Sequence, residues 1–137
     1  MDLRPRTAED LPDVTRLLAG ERLPADGLER TRGWVVQAQG RVVGHVALET
    51  TPDAAVLRSL VVDPAHRGAG LANRLLDVAE AAAGGRALVL KTETVGPWVQ
   101  RRGYLRASRE QLPASVLGTT QFEGALCACC PIYLKPR

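Results

Sequence analysis

The stretch LVVDPAHRGAGLANRLLDVAEAA, residues 60–82, constrains this chain more than any other. It joins an apolar, strand-like run to an amphipathic helix through Arg67-Gly68-Ala69-Gly70. Glycines at a strand-to-helix junction let backbone N–H groups approach a ligand with no Cβ in the way. The free N–H groups of a first helical turn, together with the helix dipole, form an anion site. Arg67 adds a planar, charged fork that matches phosphate geometry. The stretch therefore reads as a cradle for a phosphate or pyrophosphate, or more plainly as a tight turn opening a helix. Two common phosphate loops are excluded. A P-loop needs Gly-Lys-Ser/Thr, and no lysine lies near. The dinucleotide fingerprint needs a third small residue five positions after the first glycine, where Asn73 stands.

The flanking sequence supplies the rest of a mixed sheet. Residues 2–5 read as a short strand, and Thr7 as an N-cap followed by Glu9 and Asp10. Leu11, Val14, Leu17 and Leu18 then recur at helical spacing, up to Gly20. LPADGLERTR reads as a short helix or a loop. GWVVQAQ and RVVGHVALET meet across Gly40 as a hairpin. AAVLRSLVVD is almost continuously apolar, as a strand covered on both faces should be. In the helix from about Gly70 to Ala83, the stripe is Leu71, Leu75, Val78, Ala79 and Ala82. ALVLKTE follows as a buried strand, VGPWVQRRGY as a short helix ending at Gly103, and ALCACCPIYLK as a last strand-like run. The order is β-α-(α)-β-β-β-α-β-α-β. It predicts an α/β (α+β) fold whose central sheet is antiparallel in its first half and has a crossover helix after the fourth strand.

Composition narrows the class of partner. The 137 residues suffice for one domain, 1–137, with one core. No apolar run approaches the roughly 18 to 20 residues of a membrane span, and MDLRPRTAEDLPD lacks an apolar leader, so a cytoplasmic protein without a membrane partner is expected. The net charge is +3, but the arginines are scattered and the aromatics few, unlike a nucleic-acid surface. Three cysteines, Cys127, Cys129 and Cys130, read as reduced thiols rather than a disulfide framework. On one strand Cys127 and Cys129 face one side and Cys130 the other, which argues against a shared metal or arsenite.

Arg67, Gly70 and Ala72 form the pattern Arg-x-x-Gly-x-Ala after a strand ending Leu60-Val61-Val62-Asp63-Pro64. Here the chain resembles the GCN5-related N-acetyltransferase (GNAT) superfamily, whose loop amides bind the pyrophosphate of acetyl-CoA. The resemblance covers nearly the whole chain, including LRPRTAEDLPDVTRLL and VGPWVQRRGYL. LRSLVVDPAHRGAGLANRLL, LVLKTET and TTQFEGALC also resemble arsenic-resistance N-acetyltransferases, and the central part N-acetylglutamate synthase acetyltransferase domains. Both subfamilies imply an amino acid or an analogue as the small-molecule acceptor. Dimers are common in the superfamily, so a homodimer is allowed.

The resemblance implies roles residue by residue. The backbone of Leu60 and Val62, around Val61, would pair with the pantetheine arm of the cosubstrate. The amides of Arg67, Gly68, Ala69, Gly70, Leu71 and Ala72 would hold its pyrophosphate, and the strands ending in Val62 and Thr92 would splay apart there to admit the cosubstrate. An amide near Leu60 would polarise the thioester carbonyl. The ammonium of an amino acid must lose a proton before attack, for which Glu49, Asp53 and Glu93 are candidates, with Glu49 and Glu93 flanking the expected site. The superfamily's usual proton-donating tyrosine lies four positions before the glycine of GY, and Val99 stands there; nearby Tyr104 reads as a packing residue. Arg58, two and four residues from Leu60 and Val62, is expected on their face. It would make a salt bridge or clamp the acceptor's carboxylate, with Lys91, Thr92 and Thr94 completing the pocket. His45 reads as a half-buried structural residue, and His66 as a loop residue near phosphate or solvent. The rival classes are an acyl-CoA-binding sensor without turnover and a thiol-based arsenic-binding protein.

Overall fold

The apolar runs become strands in the computed structural model, which describes residues 1–123 and 130–137. In chain order the elements are β1 (Asp2–Pro5), α1 (Leu11–Gly20), β2 (Arg32–Ala38), β3 (Arg41–Thr50), β4 (Ala54–Val62) and α2 (Leu71–Ala82). β5 (Ala87–Lys91), α3 (Gly96–Arg101), β6 (Leu105–Ala107) and β7 (Ile132–Lys135) follow. Among the described residues seven strands form one sheet, ordered β1-β2-β3-β4-β5-β7-β6. Every neighbouring pair is antiparallel except β4 and β5. The mixed sheet and the crossover helix match the sequence expectation. LPADGLERTR gives only a 3-10 turn, at Leu28–Arg30. β6 is not anticipated: its three residues carry no periodicity, and they join the sheet by pairing with β7, with Ala107 packed against the apolar cluster beside it. Residues 124–129, with Cys127 and Cys129, lie outside the described residues, so the reading of the cysteine cluster does too.

Local chemistry accounts for the ends. Thr7 opens the first helical region as expected, its N–H donating to Asp10 Oδ2 at 2.8 Å, but one 3-10 turn precedes α1. Arg4 grips the same carboxylate with both Nη atoms, at 2.8 and 2.9 Å, tying the helix start to β1. Gln39 and Gly40 take φ values of 52° and 77°, the two left-handed residues of a type I′ hairpin.

Three apolar clusters cover the sheet. α2 buries Leu71, Leu75, Leu76 and Ala79 against one face, with the expected Val78 and Ala82 half-buried at the flanks. α1 packs Val14 and Leu18 on the other face, against Val35, Ala47 and Val61. Beside α1, the connection from β6 to β7 lays Leu112, Val116 and Phe122 over Ala54, Val56, Val89 and Ile132. β4 is therefore covered on both faces. No helix among the described residues is long and apolar enough to cross a membrane.

Two irregularities in β4 shape the molecule. The first is a bulge. His45 of β3 faces Val61 and Ala47 faces Arg58, so two residues, Ser59 and Leu60, stand opposite Val46. Ser59 adopts φ 58°, the left-handed region. The extra residue inverts the side-chain alternation, which corrects the expectation for Arg58. Leu60 and Val62 join the cluster under α2, whereas Arg58 points to the opposite face. The second is a parting of strands. β4 pairs with β5 only at Ala54, Ala55 and Val56, opposite Ala87, Leu88 and Val89. Beyond that, Leu90 and Lys91 pair with β7 alone, and β4 runs on to Val62 with its edge open.

His45 braces the bulge and is fully buried rather than half-buried. One ring nitrogen lies 2.9 Å from the Ser59 carbonyl and the other 2.9 Å from Arg6 Nη1. Burial pushes its pKa down from 6.5 to about 4. The unfolded chain takes up this proton below pH 6.5 and the folded chain only near 4, so stability is full above pH 6.5 and falls as pH drops to 4. The loss is about 3 kcal/mol over that window. Equilibrium urea unfolding at stepped pH should show that slope in the wild type, and His45→Asn should flatten it.

Candidate active site

The junction between β4 and α2 has the geometry of an anion cradle. Asp63 Oδ1 accepts the Ala65 N–H at 3.0 Å and starts a 3-10 turn, Pro64–His66. Gly68 and Gly70 follow at φ 85° and 78°, values that L side chains rarely adopt. A Cβ at either would meet no atom within 4 Å, so both face open space. α2 starts at Gly70 with no side-chain cap and no acidic residue in its first turn. No acceptor among the described residues takes the N–H groups of Gly68, Ala69 or Gly70. His66 Nδ1, beside them in sequence, is buried and has no hydrogen-bond partner. Unsatisfied donors, a helix N-terminus and room for a ligand fit a diphosphate.

Arg67 is not extended over this cradle. Its Nε donates to the Val62 carbonyl at 3.2 Å, and its guanidinium forms an ion pair with Glu21 just after α1. The open edge of β4 lies alongside. The Asp63 N–H donates to the Val43 carbonyl at 2.8 Å, so alternation turns the backbone groups of Val62 away from β3, toward the gap. By the same alternation Val61 pairs with His45 and sends its side chain into the α1 cluster.

The face opposite α2 brings some expected residues together. Glu49 Oε1 accepts the Thr120 N–H at 2.9 Å and the Thr120 hydroxyl at 2.7 Å. The same hydroxyl accepts from Arg58 Nη1 at 3.0 Å. Arg58 also donates to the carbonyls of Asp26 (2.7 Å) and Pro24 (3.2 Å) and to Ser59 Oγ (3.0 Å). These contacts among the described residues make it a brace between the α1–β2 connection, β4 and the β6–β7 connection. Thr120, which joins Glu49 to Arg58, stands in the TTQFEGALC stretch that carries the subfamily resemblance, but nothing there points to a partner 71 residues earlier.

The remaining candidates lie apart. Glu93 and Thr94 are exposed in the turn after β5. Thr92 Oγ1 accepts the N–H groups of Thr94 and Val95, both at 3.2 Å, and so shapes the entry to α3. Asp53 accepts from Ser115 Oγ at 2.6 Å, an exposed clip that lowers its pKa. Lys91 Nζ sits 4.4 Å above the Phe122 ring. Val99 is buried. Tyr104 is fully buried and donates to Glu80 Oε2 at 2.6 Å; burial and that carboxylate hold its pKa far above the usual phenol value.

A family model described as an acetyltransferase (GNAT) domain matches residues 29–106, from before β2 to within β6. The chain belongs to the GNAT acetyltransferase family. Its fold is that of solved GNAT structures. N-acetylglutamate synthase from Neisseria gonorrhoeae, complexed with coenzyme A and L-arginine, superposes with a TM-score of 0.79 at 22% identity, over 98% of this chain and 32% of the synthase. The chain thus spans about a third of that protein. Rv2747 from Mycobacterium tuberculosis, in complex with CoA and NLQ, superposes at 0.81 with 18% identity, over 100% of this chain and 99% of its own. A GNAT acetyltransferase from Staphylococcus aureus gives 0.75 at 13% identity, over 98% and 97%. No curated protein matches the chain by sequence.

The bridge through Thr120 gives the GNAT domain a polar tie between two distant segments. Thr120→Val, close to isosteric, removes the hydroxyl that Glu49 and Arg58 share. Leaving both short of a partner should cost about 1–3 kcal/mol of stability in urea unfolding. Thr120→Ser should retain most of it.

Proposed function

We propose that this chain is an acetyl-CoA-dependent N-acetyltransferase that moves the acetyl group directly to the amine of a small, amino-acid-like acceptor. The observation that carries the reading is the uncapped start of α2. Three loop amides without acceptors stand there beside the parted β4 and β5. The amides from Gly68 to Ala72 bind the diphosphate, whereas the expected Arg67 N–H is turned to the Pro64 carbonyl at 3.4 Å, and the open edge at Leu60 and Val62 takes the amide-bearing arm as an added strand. The Leu60 N–H, at the bulge, faces the thioester carbonyl and stabilises the charge that develops on its oxygen.

The acceptor approaches from the face that holds Glu49. One of its oxygens is held by Thr120 and it accepts the ammonium proton, with Glu93 as the second carboxylate. The neutral amine attacks and forms the C–N bond, the C–S bond breaks with its electron pair leaving on sulfur, and the proton that the new amide nitrogen sheds passes through water to the thiolate. Arg58, with four donors engaged, holds the Glu49–Thr120 side of the pocket rather than reaching out as an open fork. The Thr92 hydroxyl accepts two amides and keeps its own proton, so with Lys91 and Thr94 it suits an acceptor carboxylate. Glutamate and its arsenic- or phosphorus-containing analogues are the acceptors we favour. The synthase structures, one with N-acetyl-glutamate bound, support that choice, as does the subfamily resemblance.

The locked Tyr104 and the apolar Val99 favour one second reading, an acyl-CoA sensor with little turnover. CoA release, followed by chromatography against a panel of amino acids and glutamate analogues, separates the two. Turnover with one such amine is expected, and Gly70→Val, which forces a β-branched residue to φ 78°, should weaken acetyl-CoA binding at least tenfold. Saturable acetyl-CoA binding without turnover on any amine selects the sensor. No binding at all removes both readings.

A further inference from the structure

Among the described residues three non-glycines have positive φ: Arg22, Gln39 and Ser59. Arg22 and Gln39 lie in turns, where the chain must reverse; Ser59 alone lies inside a strand. A left-handed residue there costs about 1–2 kcal/mol, and it persists only where the surroundings hold it. Two buried side chains grip Ser59 from opposite ends. Arg58 Nε donates to its hydroxyl at 3.0 Å, and the fully buried His45 contacts its carbonyl at 2.9 Å.

The protonation of His45 follows from its other neighbour. Arg6 carries donors only, so the ring nitrogen 2.9 Å from its Nη1, Nε2, must accept. Nδ1 then bears the hydrogen and donates to the Ser59 carbonyl. Arg6 is itself fixed, its Nη2 donating to the carbonyls of Leu28 and Thr31. A chain of hydrogen bonds, half-buried at Arg6 and fully buried at His45, therefore links the segment before β2 to one carbonyl oxygen in the bulge.

That carbonyl shares a planar trans peptide with the N–H of Leu60, and the two dipoles point in opposite directions. Fixing one fixes the other. We propose that His45, held by Arg6, is a positioning residue for acetyl transfer, whose hydrogen bond to the Ser59 carbonyl aims the Leu60 N–H at the thioester oxygen. This rests on the reading of β4 as the seat of acetyl-CoA. His45 touches no substrate; it acts on the angle of one peptide plane. Misaligning such a donor affects the transition state more than the ground state, so the effect falls on kcat rather than on KM for acetyl-CoA.

Two amide replacements of His45 separate the ends of the ring. Asn places its NH2 near Nδ1 and can still donate to the Ser59 carbonyl. Gln reaches the position of Nε2 and keeps the Arg6 contact while leaving that carbonyl bare. With folded fractions matched by circular dichroism, His45→Gln is expected to lower kcat about tenfold or more, with acetyl-CoA KM and calorimetric Kd within about twofold of wild type. His45→Asn is expected to recover most of kcat. Equal kcat in the two variants, or a loss that follows only the unfolded fraction, overturns the proposal. If His45→Gln does not fold, 15N imidazole shifts of the wild type decide: an Nδ1–H tautomer at pH 7 is expected, and an Nε2–H tautomer or an imidazolium overturns the assignment. A wild type that binds no acetyl-CoA fails the functional reading and this proposal with it. Wild-type turnover with an unimpaired His45→Gln fails this proposal alone.

Discussion

The rest of the structure depends on a ladder that stops early. Parallel β4 and β5 share only three residue pairs before they part, and β4 then runs on with an unpaired edge. Backbone N–H and C=O groups are obligatory hydrogen-bonding groups, so an edge in mid-sheet is stable only where water or a ligand reaches it. The parting therefore demands an open gap, and the gap is where a linear, amide-bearing molecule can add a strand. The connection that follows β4 ends at the gap as well. Its glycines place an uncapped helix start within the same region, so the open edge and the proposed anion site stand together where regular pairing ends.

An opening through the middle of a small sheet removes cohesion that must come from elsewhere. Here it comes from covering both faces of β4 independently. α2 seals one side with leucines, while α1 and the irregular β6–β7 connection share the other. Polar braces run between these covers: Arg58 joins three segments, and Glu49 meets Thr120 from 71 residues away. Burying such groups without partners would be costly, and each of these contacts satisfies a donor with a carbonyl, hydroxyl or carboxylate. The region around the site is held by directional contacts as well as by apolar packing, which suits a site whose work lies in aiming backbone amides.

What could be read from the sequence follows from how local each feature is. The loop at Arg67–Gly70 was legible because its strand, glycines and helix are contiguous, and the hairpin at Gln39-Gly40 for the same reason. Arg58 was not, because a two-residue periodicity assumes an unbroken pleat. One extra residue at Ser59 carries Arg58 to the opposite face from Leu60, with no mark in the composition of LRSLVV. Thr120 and the tie from Arg6 to His45 were invisible for a different reason. Each joins residues dozens of positions apart, and neither end looks unusual in its own segment.

The Arg67 side chain ties this geometry to the free state of the cradle. It is half exposed, and its partner Glu21 is about a third exposed. An exposed pair of this kind contributes no more than about 1 kcal/mol and is screened by salt. A doubly charged diphosphate at the loop offers the same guanidinium a bidentate acceptor next to a helix N-terminus. Under the proposed function, exchange of the carboxylate for a phosphate would be inexpensive, with Arg67 swinging from the end of α1 while its stem remains beside Val62. Until then Glu21 neutralises a cation that would otherwise stand beside three unsatisfied N–H groups. On the proposed reading the ion pair is a resting place for Arg67 rather than a competing function, and the amides themselves, fixed by the backbone, are what would make the loop a site.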